Sequence, residues 1–187
     1  MSKVCAVTGH RPSRFAFGYN ENNALCKKIK ETIFEQFKQM YDEQAVRHVY
    51  VGGAIGVDQW AGEAVLRLKE MPGYGDLRLH IALPFNGHDS RWNQNSRERL
   101  AFLIRHCDEC VTVCQTSNRD SYLARNRYMV DHADMLLAVF DNKKSIRSGT
   151  MHTVNYARKQ QMPILLIHPD TAEVSKDKEN FTEKKQE

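Results

Sequence analysis

Short apolar runs alternate along the chain with segments whose apolar residues recur every third or fourth position. Residues 4–7, within KVCAVTG, have the pattern of a buried strand, and Leu25, Ile29, Ile33, Phe37 and Tyr41 then mark one face of a helix. The couplet repeats: a strand at 48–53 precedes a helix at 57–70 whose Trp60, Ala61, Ala64, Val65 and Leu68 share a face, and a Pro-Gly-Tyr-Gly turn follows. Further strands are expected at 77–84, 109–114, 135–140 and 163–168, with helices at 90–105, 120–133 and 150–161. Such alternation predicts an α/β, Rossmann-like three-layer sandwich with a mostly parallel sheet of about six strands, because right-handed crossovers place helices on both faces. It assigns 1–169 to one domain. The remainder, 170–187, reads DTAEVSKDKENFTEKKQE, with almost no apolar residue, and is expected to be a disordered charged tail.

Composition narrows the class. A chain of 187 residues is the size of one domain, and no apolar run approaches the roughly 18 residues of a membrane span. The start, MSKVCAVTG, is too short in apolar residues for a secretory signal, so the cytoplasm is the expected compartment. Five cysteines form an odd set that argues against a disulfide framework. Cys107, Cys110 and Cys114 look metal-like in spacing. However, Cys107 and Cys110 are an odd number apart along an expected strand and so face opposite sides, no fourth ligand is evident, and neither a metal nor a cofactor is expected. The net charge is +4 although 170–187 holds six acids against four lysines, so the body is modestly basic. That balance suits a nucleotide and also suits nucleic acid.

In open parallel sheets ligands bind beyond the carboxyl ends of the strands. The loops expected there are TGHRPSRFAFGYN, GGAIGVD, PFNGHDSRW, CQTSNRDSYLARN and DNKKSIRSGT. They hold His10, Arg11, Arg14, Arg91, Arg119, Arg125, Lys143, Lys144 and Arg147. Gly52 and Gly53 end a strand and Gly56 precedes a helix, where a missing Cβ lets backbone N–H groups approach a phosphate. The same glycines also suit a tight turn and close helix packing. Ser148-Gly149-Thr150 opens another helix and offers a second anion seat. Val51 stands where a dinucleotide fingerprint needs glycine, and no lysine-bearing P-loop is present, which argues against a standard dehydrogenase or ATPase.

Three stretches carry a family resemblance: Thr8-Gly9-His10-Arg11-Pro12, GGAIGVDQWAGEAV, and residues 125–150. Together they resemble the SLOG superfamily, which groups LOG-type phosphoribohydrolases with DprA-type DNA-binding proteins, and are most similar to its small bacterial YpsA-like branch. Arg125-Asn126-Arg127-Tyr128-Met129 is similar to the R-K-x-x-M helix of LOG enzymes, which implies a role for Arg125 in ligand binding or catalysis. The glutamate those enzymes carry three residues after the loop's Gly-Thr is Thr153 here, and DNKKSIRSGT is longer than the compact P-G-G-x-G-T. Cleaving an N-glycosidic bond builds positive charge that a carboxylate relieves. Threonine does not supply it, leaving Asp58 or Glu63 as substitutes and the enzyme question open. Asp58 also fits a first-turn acid matched to the helix dipole.

The expected ligand contacts are therefore Gly9, His10, Arg11, Gly52, Gly53, Gly56, Asn126, Ser148, Gly149, Thr150 and Thr153. Arg91 and Trp92 join them, Trp92 either stacking a base or lying in the core. His10 suits a phosphate or base contact, acid–base work, or plain loop hydrogen bonding. Phe15, Phe17 and Tyr19 interleave with Arg11 and Arg14, suiting stacked single-stranded bases, a lid over a nucleotide, or a packed loop. The leading reading is a sensor or regulator binding a nucleotide-like small molecule. A phosphoribohydrolase and a DprA-like single-stranded DNA binder are the alternatives. A protein partner and homo-oligomerisation stay open.

Overall fold

The computed structural model describes residues 1–142 and 148–178. Lys143, Lys144 and Arg147, named above for their charge, and the chain from 179 onward lie outside the described residues. The elements run β1 (Lys3–Gly9), α1 (Ala24–Gln44), β2 (Val46–Val51), α2 (Val57–Lys69), β3 (Arg78–Leu83), α3 (Gln94–His106), β4 (Glu109–Thr112), α4 (Ser121–Asp131), β5 (Met135–Val139), α5 (Gly149–Lys159), β6 (Ile164–Ile167) and β7 (Val174–Lys176). A single 3-10 turn, Pro12–Arg14, interrupts the first loop.

The sheet has seven strands in the order β4-β3-β2-β1-β5-β6-β7, parallel except for β7. Chain direction across the sheet reverses between β1 and β5, which pair from Cys5 opposite Met135 to Gly9 opposite Val139. Alternate β5 residues feed two cores. Leu137 and Val139 join Ile29, Ile33, Phe37, Trp60, Val65 and Leu103 from α1, α2 and α3, whereas Leu136 and Ala138 join Met129, Val154 and Ala157 from α4 and α5. This is the Rossmann-like three-layer arrangement expected from the alternation. No described helix is long and apolar enough to cross a membrane.

Strand β2 ends at Val51, before Gly52 and Gly53, and two boundaries differ further from expectation. The third helix begins at Gln94 instead of 90, because Asn93 caps it by accepting from Ser96 N at 2.8 Å and a turn occupies the residues before it. The tail is also not disordered from 170. β7 adds to β6 with Val174 opposite Ile167, and Asp177, buried, accepts from Arg158 Nε at 2.7 Å and from Nη2 at 3.1 Å. A backbone ladder and a buried ion pair hold this segment, and neither registers in a hydrophobic pattern.

The long first loop is bolted down through Glu21. Its carboxylate accepts from Trp60 Nε1 at 2.8 Å, from Arg99 Nη1 at 2.6 Å, and from Lys30 Nζ. Arg99 also donates to Glu63 Oε2 at 2.6 Å, which assigns Glu63 to a structural pair between α2 and α3. Phe15 and Phe17 stack at 4.9 Å and Phe15 packs on Trp60 at 5.5 Å, so the aromatics at these two positions are packing groups, while Tyr19 is exposed.

Burial pushes the Glu21 carboxyl up, but hydrogen bonds from Arg99, Lys30 and Trp60 outweigh it and bring the pKa down to about 2. A depressed carboxyl stabilises the fold above its unfolded pKa and loses that contribution as pH falls through the folded one. Glu21→Gln is expected to cost on the order of 1–2 kcal/mol at pH 7, allowing for solvent screening of this half-exposed group. In urea denaturation across pH 7 to 2, the gap from wild type should close between pH 4.5 and about 2. A constant gap at all pH values would refute the charge-based role.

Candidate functional site

A cleft of about 350 Å³ opens at the carboxyl ends of β1 and β5, where the strand order turns around. The first loop forms one wall. His10 is buried, edge-on to Phe15 at 6.3 Å and Phe140 at 5.6 Å, with Nε2 3.8 Å from Asp141 Oδ1. Burial lowers its pKa and Asp141 partly restores it, so the ring is weighted toward the neutral form at pH 7. The Pro12–Arg14 turn presents Arg11, Ser13 and Arg14, and the Arg11 guanidinium stands 5.7 Å from the centre of the Tyr122 ring.

Arg125 forms the floor. It is 5% exposed and donates to the carbonyls of Gly52 and Ala82, the latter at 3.2 Å, and from Nε to Asn126 Oδ1 at 2.7 Å. Asp58, 7% exposed on the first turn of α2, accepts from Ala54 N at 3.2 Å and faces the same charge. Burial pushes the Asp58 carboxyl above the usual range, and the Arg125 guanidinium is the largest influence pulling it back. Burial likewise lowers Arg125 while Asp58 raises it. A guanidinium stays protonated in proteins, so Arg125 keeps its positive charge, with the Asp58 carboxyl set against it.

This floor accounts for Gly52. A Cβ there would lie 2.1 Å from Arg125 Nη1 and 2.6 Å from Asp58 Oδ2. The group that comes so close to this backbone is therefore a side chain of the protein itself. Gly56, at φ +98°, turns the chain into α2 with Pro12 Cδ 2.9 Å from where a Cβ would stand, and Gly53 faces Leu100 of α3. None of these three glycines lines the cleft.

The start of α5 forms the last wall. Ser148 caps the helix by accepting from Met151 N at 3.1 Å, and Gly149 and Thr150 line the opening. Thr153 lies one turn deeper, 2% exposed and away from the cleft. Its hydroxyl donates to Gly149 O and accepts from Asn126 Nδ2, both at 2.9 Å. Arg125, Asn126, Thr153 and Gly149 thus form one hydrogen-bonded chain from floor to wall.

Of the residues singled out from the sequence, the structure gathers Gly9, His10, Arg11, Asp58, Arg125, Asn126, Ser148, Gly149 and Thr150 around the cleft. Arg91 and Trp92 lie in the turn before α3, outside it, with Trp92 edge-on to His88 at 5.3 Å. Tyr122 was missed. Its position three residues before Arg125 and four before Asn126 places it on the same helix face, a signal present in the sequence. His88 lies outside the cleft lining, buried, and its Nε2 meets no hydrogen-bond partner among the described residues. Phe85 bridges His88, at 6.2 Å, to Tyr122, at 5.6 Å. The described residues contain no cluster of three His, Cys, Asp or Glu suited to a metal ion.

A family model described as the YspA SLOG family (YpsA) matches residues 5–172. The chain belongs to this SLOG family. Among curated proteins it is similar to UPF0398 proteins of Staphylococcus aureus, including those of strains JH9 and COL. Each is 25% identical over 146 residues, which is 77% of this chain and 76% of the relative. Among solved structures it is similar to DNA processing protein A (DprA) from Helicobacter pylori, described for its single-stranded DNA binding mode, with TM-score 0.54 and 18% identity over 88% of this chain. It is also similar to DprA from Streptococcus pneumoniae, with TM-score 0.55 and 14% identity over 89% of this chain. The alignments span 65% and 50% of those two proteins. At such identities the likeness is one of fold alone.

If Gly52 is glycine because Arg125 occupies its Cβ space, Gly52→Ala should displace the guanidinium and cost on the order of 3 kcal/mol, the scale of breaking a buried charge pair. Gly75→Ala, where a Cβ would meet nothing within 4 Å, should stay within about 0.5 kcal/mol of wild type. Equal urea midpoints for the two variants would refute the assignment.

Proposed function

We propose that the cleft binds a nucleotide through its phosphate and that the protein acts as a sensor or regulator. The observation that carries this reading is the meeting of three arginines, Arg11, Arg14 and Arg125, with the start of α5 around one cavity at the turning point of the sheet. The first-turn N–H groups of Gly149 and Thr150 and the positive end of the helix dipole favour an anion at α5, and a buried guanidinium in the floor is held in place by its own hydrogen bonds. Tyr122, with Arg11 above it, offers a flat apolar wall beside the phosphate seat. A volume of about 350 Å³ lies near the lower limit for small-molecule sites and suits one nucleotide unit better than two.

The phosphoribohydrolase reading has weaker support. The residue at the position of the LOG glutamate, Thr153, is buried and its hydroxyl is committed on both sides. Asp58 is the one carboxylate on the cleft wall among the described residues, and its charge is set against Arg125. Removing Asp58 would therefore disturb the floor whether or not it takes part in chemistry. A second reading, single-stranded DNA binding, draws on the fold shared with DprA from Helicobacter pylori. It requires a surface that neutralises several phosphates, and binding would then weaken steeply with salt, by about 0.7 in log affinity per phosphate for each unit of log salt.

Thermal melting with the four nucleoside 5′-monophosphates, ADP-ribose and NAD, with free base assayed in the same wells, tests the reading. A ligand at 100 times its Kd adds about 2.7 kcal/mol, and a domain of this size gains roughly 2–4 °C per kcal/mol. The expected result is a shift of about 5 to 10 °C, no base released, and loss of the shift in Arg11→Ala. Release of base would overturn the sensor reading. No shift with any nucleotide, together with salt-dependent retention of a labelled oligonucleotide, would transfer the function to single-stranded DNA.

A further inference from the structure

A second basic cavity adjoins the cleft. The groove between α4 and α5 encloses about 430 Å³ and is lined by Leu123, Asn126 and Arg127 from α4 and by His152, Tyr156 and Lys159 among the α5 residues. Helical spacing explains the set. Positions 123, 126 and 127 share one edge of α4, and positions 152, 156 and 159 share the facing edge of α5. Arg127, His152 and Lys159 are exposed, and no acid lines the groove among the described residues. Asp131, beyond its end, accepts from the Tyr156 hydroxyl at 2.9 Å and so fixes the ring, with the Arg127 guanidinium 5.6 Å from the ring centre.

Asn126 borders both cavities. Its side chain is spent at both ends, accepting from Arg125 and donating to Thr153, so it forms a fixed sill that a ligand would cross. On one side of the sill lie Arg125 and the start of α5, and on the other lie Arg127 and His152. We propose that the α4–α5 groove is a second phosphate subsite, and that the ligand of this protein carries a second phosphate one nucleotide beyond the first. The inference rests on the nucleotide reading of the cleft and names the class of ligand: a 5′-phosphorylated dinucleotide unit, its terminal phosphate in the cleft, its internucleotide phosphate in the groove beyond the sill, beside Arg127 and Lys159, and its second base beside Tyr156. The cleft accommodates one unit, and the groove supplies cations and an aromatic face for the continuation.

Titration calorimetry with the nucleoside 5′-monophosphates and the matching 5′-phosphorylated dinucleotides tests this. The wild-type protein is expected to bind the preferred dinucleotide at least about tenfold tighter than its monophosphate, the scale of one added charge-assisted contact. The double variant Arg127→Ala/Lys159→Ala, both positions exposed, should lose that gain and keep monophosphate affinity within about twofold. A monophosphate that binds while the dinucleotide gains nothing, or a gain that survives the double variant, overturns the groove and leaves the cleft reading standing. Failure of both ligand types overturns the cleft reading and the groove with it. With the subsite supported, 5′-phosphorylated oligonucleotides separate its sources: affinity that stops rising at two units assigns a free dinucleotide, and affinity that keeps rising assigns the end of a single strand.

Discussion

A permanently charged guanidinium is buried under the carboxyl edge of the sheet, and much of the surrounding sequence follows from having to accommodate it. Burial of an arginine without compensation is costly by several kcal/mol. Here the cost is met by two strand-end carbonyls, Gly52 and Ala82, by the Asn126 amide, and by the Asp58 carboxylate. The first of these requires a residue without a Cβ at 52, and the last requires an acid on the first turn of α2. The glycine-rich run that precedes α2 is thus an arginine socket. What it fixes in place is the guanidinium of Arg125.

That arrangement shows what a sequence can and cannot convey. Alternating strands and helices were legible because each buried face imposes its own period, and β5, buried on both sides, reads as the continuous run MLLAV. Strand β7 was not legible. Its three exposed residues, VSK, have no apolar period, and it is held by backbone pairing and by the Arg158–Asp177 pair, whose partners are 19 residues apart. The gathering of Gly9, His10, Arg11, Arg125 and Ser148 to Thr150 followed from the rule that ligands bind beyond strand ends. The reason for Gly52 did not, since a backbone kept clear for a phosphate and one kept clear for a side chain 73 residues away leave the same letter in the chain.

Membership of the YpsA SLOG family and the fold shared with DprA place the chain among proteins built on one scaffold. Thr153 uses its hydroxyl to brace the start of α5 against Asn126, a structural use of the position at which the LOG pattern has a carboxylate. Thr153 thereby ties the helix start to Asn126 and through it to Arg125. Because Asp58 serves as the counter-charge to Arg125, the wall of the cleft holds no acid free of that duty among the described residues.

The most direct measurement of the central claim is a ¹H–¹⁵N NMR titration with a nucleoside 5′-monophosphate, following the backbone amides of Gly149 and Thr150 and the Arg125 guanidinium Nε–H. Binding of phosphate at the start of α5 over the arginine floor predicts large, saturable shifts at these three groups with one common dissociation constant. Shifts confined to other parts of the surface, or none at saturating nucleotide, would contradict it.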